Sequence, residues 1–169
     1  VSYSGTSSVT VNLANQTATG GDATGDVISG FENVIGATFG MDSLTGSDGA
    51  NRIFGLGGDD VINGGLGDDF IDGGAGADTI DGGGDYDTIS FESLMSPVQL
   101  DMATGLTKIA GESAINFEAA IGSVGNDLRQ GNSDDNILEG LDGKDDLQGR
   151  DGADTLRGGR LTTDDFSVG

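Results

Sequence analysis

The stretch GGLGDDFIDGGAGADTID, residues 64–81, consists of two consecutive nonapeptides that share one pattern. In each, the first and fourth residues are Gly, the sixth is Asp and the eighth is a large aliphatic residue. Working outward, the same nine-residue frame gives six units over residues 37–90 and four over residues 122–157. The aliphatic positions are Leu44, Ile53, Ile62, Ile71, Ile80 and Ile89, and later Leu138, Leu147 and Leu156. A fixed short period predicts stacked repeats rather than one globular core.

The composition excludes several kinds of chemistry. The 169 residues include 33 Gly but no Cys and no His, so catalytic triads, thiolate or imidazole zinc sites and disulfides are ruled out. With 29 acidic and seven basic residues, the net charge of -22 disfavours nucleic acid and anionic lipid as partners. No apolar run reaches the roughly 20 residues of a membrane span. The charge points to a cation as the partner.

The nonapeptide predicts a strand followed by a tight turn. Residues seven to nine alternate outward, inward and outward, as in a short strand, and the Gly-rich residues before them suit a turn. Two units therefore close one coil, and the predicted fold is an all-β, right-handed parallel β-roll. It stacks Leu44, Ile62 and Ile80 on one side and Ile53, Ile71 and Ile89 on the other. Burial contributes about 2 kcal/mol per unit, several times less than ordering nine residues costs, so the roll needs a further source of stability.

Stacked turns would also align the sixth-position residues. One column would contain Asp42, Asp60 and Asp78, the other Asn51, Asp69 and Asp87, and the second array adds Asp127, Asn136, Asp145 and Asp154. Unneutralised carboxylates in such columns would repel one another. Ca²⁺ takes six to eight oxygen ligands, and carboxylates with turn carbonyls supply them without His or Cys, whereas Mg²⁺ demands a smaller, stricter octahedron. These columns therefore predict calcium sites.

The consensus GGxGxDxUx, with U a large aliphatic residue, resembles the hemolysin-type (RTX) calcium-binding nonapeptide repeat. The resemblance implies about six ions, each between a turn and the turn 18 residues later, which would offset roughly 12 of the 22 negative charges. The implied pairs start at Ala37 and Gly55, Gly46 and Gly64, Gly55 and Gly73, Gly64 and Gly82, Gly122 and Gly140, and Gly131 and Gly149. The further metal-site residues are Gly55, Gly57, Gly64, Gly65, Leu66, Gly67, Gly73, Gly74, Ala75, Gly76, Gly82, Gly84, Gly140, Asp142, Gly149 and Asp151.

Some units depart from the pattern. Asn51 and Asn136 replace the sixth-position Asp, which predicts weaker sites. Arg129 occupies an aliphatic position with Leu128 one place early, which predicts a slipped or bulged first rung in the second array. From residue 158 the pattern degenerates, because Leu161 and Thr163 replace the fourth Gly and the sixth Asp.

The remaining segments form a longer repeat. FENVIG at Phe31 resembles FEAAIG at Phe117, and VTVNLA at residue 9 resembles VQLDMA at residue 98. We expect these spacers to cap or join the rolls, with Phe31 and Phe117 as core plugs. The expected organisation is spacer or capping strands at 1–36, a first roll block at 37–90, spacer strands at 91–121 and a second block at 122–166. Val1 matches the aliphatic position of an earlier nonapeptide, so we expect a section of a longer array.

The sequence favours a non-enzymatic calcium-binding module of a larger protein. The family resemblance implies a secreted bacterial protein that passes type I secretion machinery unfolded and folds in extracellular calcium, where the module stabilises the protein or assists its secretion. The alternative is an accessory or adhesin module that binds extracellular polysaccharide or a cell surface. An ice-binding solenoid is disfavoured, because it would need regular rows of one residue type, commonly Thr, and the outward-facing strand positions here vary in residue type.

Overall fold

The computed structural model describes residues 1–3 and 5–159. These residues form two β-sheets and one short 3-10 helix, Gly21–Ala23, without an α-helix. Within this part of the chain, no helix is long and apolar enough to cross a membrane. The predicted fold class, an all-β parallel roll, is confirmed. The degenerate segment at 160–166 lies outside the described residues.

The strands, numbered in chain order, alternate between a ten-stranded and a seven-stranded sheet along most of the chain. In spatial order, the ten-stranded sheet contains β16 (Asp146–Gln148), β14 (Leu128–Gln130), β10 (Gln99–Asp101), β11 (Leu106–Thr107), β12 (Ser113–Ile115), β8 (Thr79–Gly84), β6 (Val61–Leu66), β4 (Ser43–Thr45), β1 (Thr10–Asn12) and β2 (Thr17–Thr19). The seven-stranded sheet contains β17 (Thr155–Arg157), β15 (Ile137–Glu139), β13 (Ala119–Ile121), β9 (Thr88–Ser90), β7 (Phe70–Asp72), β5 (Arg52–Phe54) and β3 (Asn33–Ile35).

The strand register confirms the predicted coil of two nonapeptides. Leu44 pairs with Ile62 and Ile62 with Ile80 in the ten-stranded sheet. In the other sheet, Ile53 pairs with Ile71 and Ile71 with Ile89. All six side chains are buried between the sheets. The core is therefore a thin double column of aliphatic side chains, as the period requires.

The first coil is longer than the nonapeptide frame predicts. Val34 of β3 pairs with Ile53, which lies 19 rather than 18 residues later. The turn from β3 to Asp42 accordingly begins at Gly36, one residue before the Ala37 predicted from the frame. The extra residue is accommodated in the turn, because Val34 remains fully buried in the aliphatic column.

The second spacer joins the arrays differently in the two sheets. In the seven-stranded sheet, β13 pairs in parallel with both β9 and β15, so the stacking continues from one array to the next. In the ten-stranded sheet, β12 pairs in parallel with β8, and β11 then links β12 to β10 through antiparallel pairing. Two strands, β10 and β11, are thereby inserted on one side of the roll only.

The aromatic plugs of the two spacers differ. Phe117 is buried, as predicted, whereas Phe31 is 45% exposed, so its prediction as a core plug is wrong. In the first spacer, Ala23 and Ile28 are buried instead. The two spacers nevertheless contain equivalent hydrogen bonds. Tyr3 N donates to Ile35 O at 2.9 Å in the first spacer, and Phe91 N donates to Ile121 O at 3.0 Å in the second.

Candidate metal centres

The sixth-position residues of the nonapeptides lie inside the turns. Those with at most 3% of their surface exposed are Asp42, Asn51, Asp60, Asp69, Asp78, Asp87, Asp127 and Asn136. Asp145 and Asp154, in the last two turns, are half-buried, while the third-position residues Asp142 and Asp151 are exposed. We call the turns leading into the ten-stranded sheet column one (Asp42, Asp60, Asp78, Asp127, Asp145) and those leading out of it column two (Asn51, Asp69, Asp87, Asn136, Asp154).

One oxygen of each carboxylate stabilises the preceding coil. In column one, Asp60 Oδ1 accepts a 2.8 Å hydrogen bond from Asp42 N, and Asp78 Oδ1 accepts one of 2.9 Å from Asp60 N. In column two, Asp87 Oδ1 accepts a 2.8 Å bond from Asp69 N. The second array repeats the contact, with acceptors in Asp145 and Asp154. Each buried N–H is thus satisfied by the carboxylate 18 residues later.

Fifth-position side chains make the reverse contact on the exposed side of the turns. Asp59 Oδ1 accepts from Ala77 N at 2.9 Å, and Asp68 Oδ1 accepts from Tyr86 N at 3.1 Å. Asn126 repeats this contact in the second array, accepting from Lys144 N at 2.9 Å. Successive turns are therefore joined by two sets of hydrogen bonds, in which backbone N–H groups donate to side chains of both the following and the preceding turn.

The second carboxylate oxygen has no hydrogen-bond partner in three buried sites. These atoms are Oδ2 of Asp60, Asp69 and Asp87. A buried carboxylate oxygen without a donor is costly, because burial removes its water. A cation beside such an atom would compensate its charge.

A small space lies beside each of these oxygens because the first residue of the unit is Gly. A Cβ added to Gly55 would clash with both Asp60 Oδ2 and the carbonyl oxygen of Gly73. A Cβ on Gly64 would clash in the same way with Asp69 Oδ2 and the carbonyl oxygen of Gly82. Carboxylate and carbonyl oxygens of consecutive coils therefore face one point.

The same convergence occurs at most of the other predicted pairs. At Gly46 it joins the Asn51 side chain and the Gly64 carbonyl, and at Gly131 the Asn136 side chain and the Gly149 carbonyl. The first pair starts at Gly36, whose Cβ would meet Asp42 Oδ2 and, at 3.0 Å, the carbonyl oxygen of Gly55.

The residues at the second to fourth positions of the nonapeptides contribute to the stacking of successive coils. Gly65 and Leu66 pair with Gly83 and Gly84 in the β6–β8 ladder. Ala75 forms a bridge with Gly57, and its carbonyl accepts from Gly58 N at 2.9 Å. Gly67, Gly74 and Gly76 have φ of 92°, 90° and 148°, and a Cβ on any of them would meet backbone of the preceding coil. Gly is therefore required there by close stacking as well as by conformation.

Burial alters the acidity of these carboxyl groups. Burial, together with the negative charges of Asp78 and Asp42, raises the pKa of Asp60 to about 7. Burial also raises the pKa of Asp87 to about 7 and that of Asp69 to about 6. Their ionised forms are thus unfavourable in the folded chain unless a cation compensates the charge.

The atoms that could bind a metal ion at these turns are oxygens, which fits a hard cation such as Ca²⁺. No group of three or more carboxylates among residues 1–3 and 5–159 is close enough to hold a metal ion by itself. An ion in these turns would therefore need backbone carbonyl oxygens beside the Asp side chains, as the Gly-rich sequence predicts.

The first turn of the second array differs from the others. The expectation of a slipped rung is wrong, because Arg129 pairs in register with Leu100 and Leu147. Its side chain points inward, is fully buried and donates from Nη2 to Asp127 Oδ2 at 2.9 Å. A Cβ on Gly122 would clash with the guanidinium and with the Gly140 carbonyl oxygen. The guanidinium thus lies in the space that faces a carboxylate and a carbonyl in other turns.

Three glutamates occupy equivalent positions that the nonapeptide frame did not reveal. Glu32, Glu112 and Glu118 each directly precede a three-residue strand, as the sixth-position Asp does. Glu118 Oε2 accepts from Asp87 N at 2.8 Å, and Glu112 is buried with Oε2 unpartnered. The signal was an acid two residues before a buried aliphatic residue, in Glu-Asn-Val, Glu-Ser-Ala and Glu-Ala-Ala.

Comparison with known proteins agrees with the geometry. The family described as RTX calcium-binding nonapeptide repeat (4 copies) matches residues 37–71, 54–89 and 130–160, which together are about half of the chain. No curated protein matches the chain. RTX repeats bind Ca²⁺, and the matched segments contain nine of the ten sixth-position residues named above. The chain belongs to the RTX calcium-binding nonapeptide repeat family.

Proposed function

We propose that the chain is a non-catalytic module that folds when it binds Ca²⁺ and thereby stabilises a larger secreted bacterial protein. The observation that supports this most directly is the set of buried, unpartnered Oδ2 atoms of Asp60, Asp69 and Asp87. Each belongs to a turn whose ionised carboxylate a bound cation would stabilise. In calcium-poor surroundings these turns would repel one another.

The thin core makes the cation energetically decisive. Each coil buries only two aliphatic side chains, such as Ile62 and Ile71, while 18 residues lose conformational freedom. An ion that binds only the folded chain adds its binding free energy to folding. The fold and calcium binding are therefore expected to appear together.

The test is circular dichroism of the chain in chelator and in millimolar Ca²⁺. We expect a largely disordered spectrum in EDTA and a β spectrum with calcium. Identical spectra under both conditions would contradict calcium-dependent folding.

Magnesium is the matched control for charge screening. Because Mg²⁺ demands a small octahedron and loses water reluctantly, it should not replace Ca²⁺ at equal concentration. Equal thermal stabilisation by the two ions would mean that ionic screening, rather than an oxygen site, supports the fold.

The proposed secretion role rests on calcium dependence. A chain that stays unfolded at low calcium suits passage through type I secretion machinery, and it would then fold in the calcium-rich exterior. We further propose that the nonapeptides of 37–90 and 122–166 act as two calcium-binding blocks, of which residues 160–166 lie outside the described structure. A secretion assay of the larger protein with the sixth-position Asp residues of 37–90 changed to Asn tests this role.

A further inference from the structure

The junction between the first array and the second spacer contains oxygens arranged as in the predicted sites. A Cβ on Gly82 would clash with the carbonyl oxygen of Asn116 and lie 2.8 Å from Asp87 Oδ2. At Gly55 and Gly64, the carbonyl facing the Asp belongs to the next nonapeptide. At the junction it belongs to the spacer, in a segment without the Gly-rich consensus.

Asp87 is the most deeply buried carboxylate of column two. None of its surface is exposed, and Oδ1 is used by the hydrogen bond from Asp69 N. Oδ2 has no partner and faces the same space as the Asn116 carbonyl. An ionised carboxylate oxygen that is buried beside a carbonyl oxygen, with no hydrogen-bond donor between them, would be stabilised by a cation.

The spacer positions its own oxygens firmly. Asn116 has φ of 60°, a left-handed conformation that Asn tolerates, and its Nδ2 donates to Asp81 Oδ1 at 2.7 Å. Glu118 Oε2 accepts from Asp87 N at 2.8 Å, the contact that a sixth-position Asp makes within the arrays. The segment 116–118 thus reproduces the carbonyl and carboxylate of a nonapeptide turn.

We propose that the junction binds a further Ca²⁺ ion through Asp87 Oδ2 and the carbonyl oxygen of the spacer residue Asn116, while Glu118 holds the spacer turn against Asp87 N. The proposal rests on the proposed function, because it assumes that the chain binds calcium at the repeat turns. It adds a site formed by one nonapeptide turn and one spacer turn. Such an ion would fasten β9 to β13, where the seven-stranded sheet passes from the first array into the spacer.

The first experiment counts calcium ions per chain by native mass spectrometry in saturating Ca²⁺. Gly82→Ala places a methyl group in the junction space, against the Asn116 carbonyl oxygen, and should reduce the count by one. Gly49→Ala is the control, since a Cβ there meets nothing within 4 Å and Gly49 is not among the predicted metal-site residues, and it should keep the wild-type count. An unchanged count in Gly82→Ala would overturn the junction site.

The second experiment keeps the test decisive if Gly82→Ala does not fold. Crystals of the wild-type chain grown with Ca²⁺ should give an anomalous difference peak between Asp87 Oδ2 and the Asn116 carbonyl oxygen. A peak between the turns at Gly64 and Gly82, without one at the junction, would reject this inference and leave the proposed function intact. Absence of calcium from all turns would reject the proposed function itself.

Discussion

Arg129 Nη2 donates a 2.9 Å hydrogen bond to Asp127 Oδ2, and both side chains are completely buried. The guanidinium lies at the turn of Gly122 and Gly140, in the space that faces Asp60 Oδ2 at Gly55 and Asp69 Oδ2 at Gly64. A fixed positive charge therefore neutralises this turn within the chain. The coil at the start of the second array should form without an ion of its own.

Replacing Arg129 with Leu should convert this turn into a calcium site. Removing one partner of a buried ion pair costs about 3–5 kcal/mol, and Ca²⁺ would have to compensate for it. We expect Arg129→Leu to bind one more Ca²⁺ per chain and to need more calcium to fold, as measured by native mass spectrometry and circular dichroism. Arg157→Leu is the control, because Arg157 is exposed and makes only a 3.8 Å contact with Glu139. An equal count in wild type and Arg129→Leu would show that the guanidinium does not replace an ion.

The central ligands should matter more than the terminal ones. Asp69→Ala removes an unpartnered Oδ2 and the acceptor for Asn51 N, so it should lower calcium-saturated stability by about 2 kcal/mol. Asp154→Ala removes the acceptor for Asn136 N, but Asp154 is half-buried beside the exposed Leu156, and we expect a loss below about 1 kcal/mol. Thermal unfolding and calorimetric calcium titration of both variants make the comparison. Equal losses of stability in the two variants would contradict the expectation that the central coils contribute more than the terminal one.

Whether the space beside the first Gly of a unit holds the ion can be tested without altering the charge of the chain. In Gly64→Ala, the added methyl group would meet Asp69 Oδ2 and the Gly82 carbonyl oxygen, so calcium affinity and stability should both fall. Gly49→Ala is the control, since a Cβ there meets nothing within 4 Å, and its stability should match or slightly exceed that of wild type. Similar calcium affinity in the two variants would show that this space does not hold the ion.

Acidification should partly replace calcium. The pKa values of about 7 for Asp60 and Asp87 lie above those of unfolded Asp, so the folded chain binds more protons between about pH 4 and 7. Stability of the calcium-free fold therefore rises as the pH falls through 7 and is lost again as the pH rises. We expect more β signal at pH 5 than at pH 8 in calcium-free buffer, and weaker calcium affinity at pH 5. A calcium-free spectrum independent of pH would argue against buried carboxylates as the cause of instability.

The repeated part of the fold was predictable because one residue spacing determines both core and turns. The nine-residue interval between Ile62 and Ile71 places successive strands in opposite sheets, and the same interval aligns Asp60 with Asp78. The glycine pairs follow from that register, so the pair of Gly55 and Gly73 could be predicted from the sequence alone.

The remaining features depend on contacts that no local spacing encodes. Arg129 was expected to distort its strand, but the ladder with Leu100 and Leu147 keeps the register and Asp127 lies close enough to neutralise the charge. Phe31 and Phe117 have similar sequence surroundings, yet Phe31 is exposed whereas Ala23 and Ile28 of the same spacer belong to the core. Tertiary packing decides such positions.

The two strands inserted by the second spacer, β10 and β11, have consequences for the shape of a longer array. Neighbouring strands are about 4.8 Å apart, so two additional strands lengthen one sheet by roughly 10 Å while the opposite sheet gains none. The first spacer places β1 and β2 in that same sheet, with β1 parallel to β4 as β10 is to β14. Each module would add length on the same side. A chain of many such modules would consequently curve toward its seven-stranded face, as an arc rather than a straight rod.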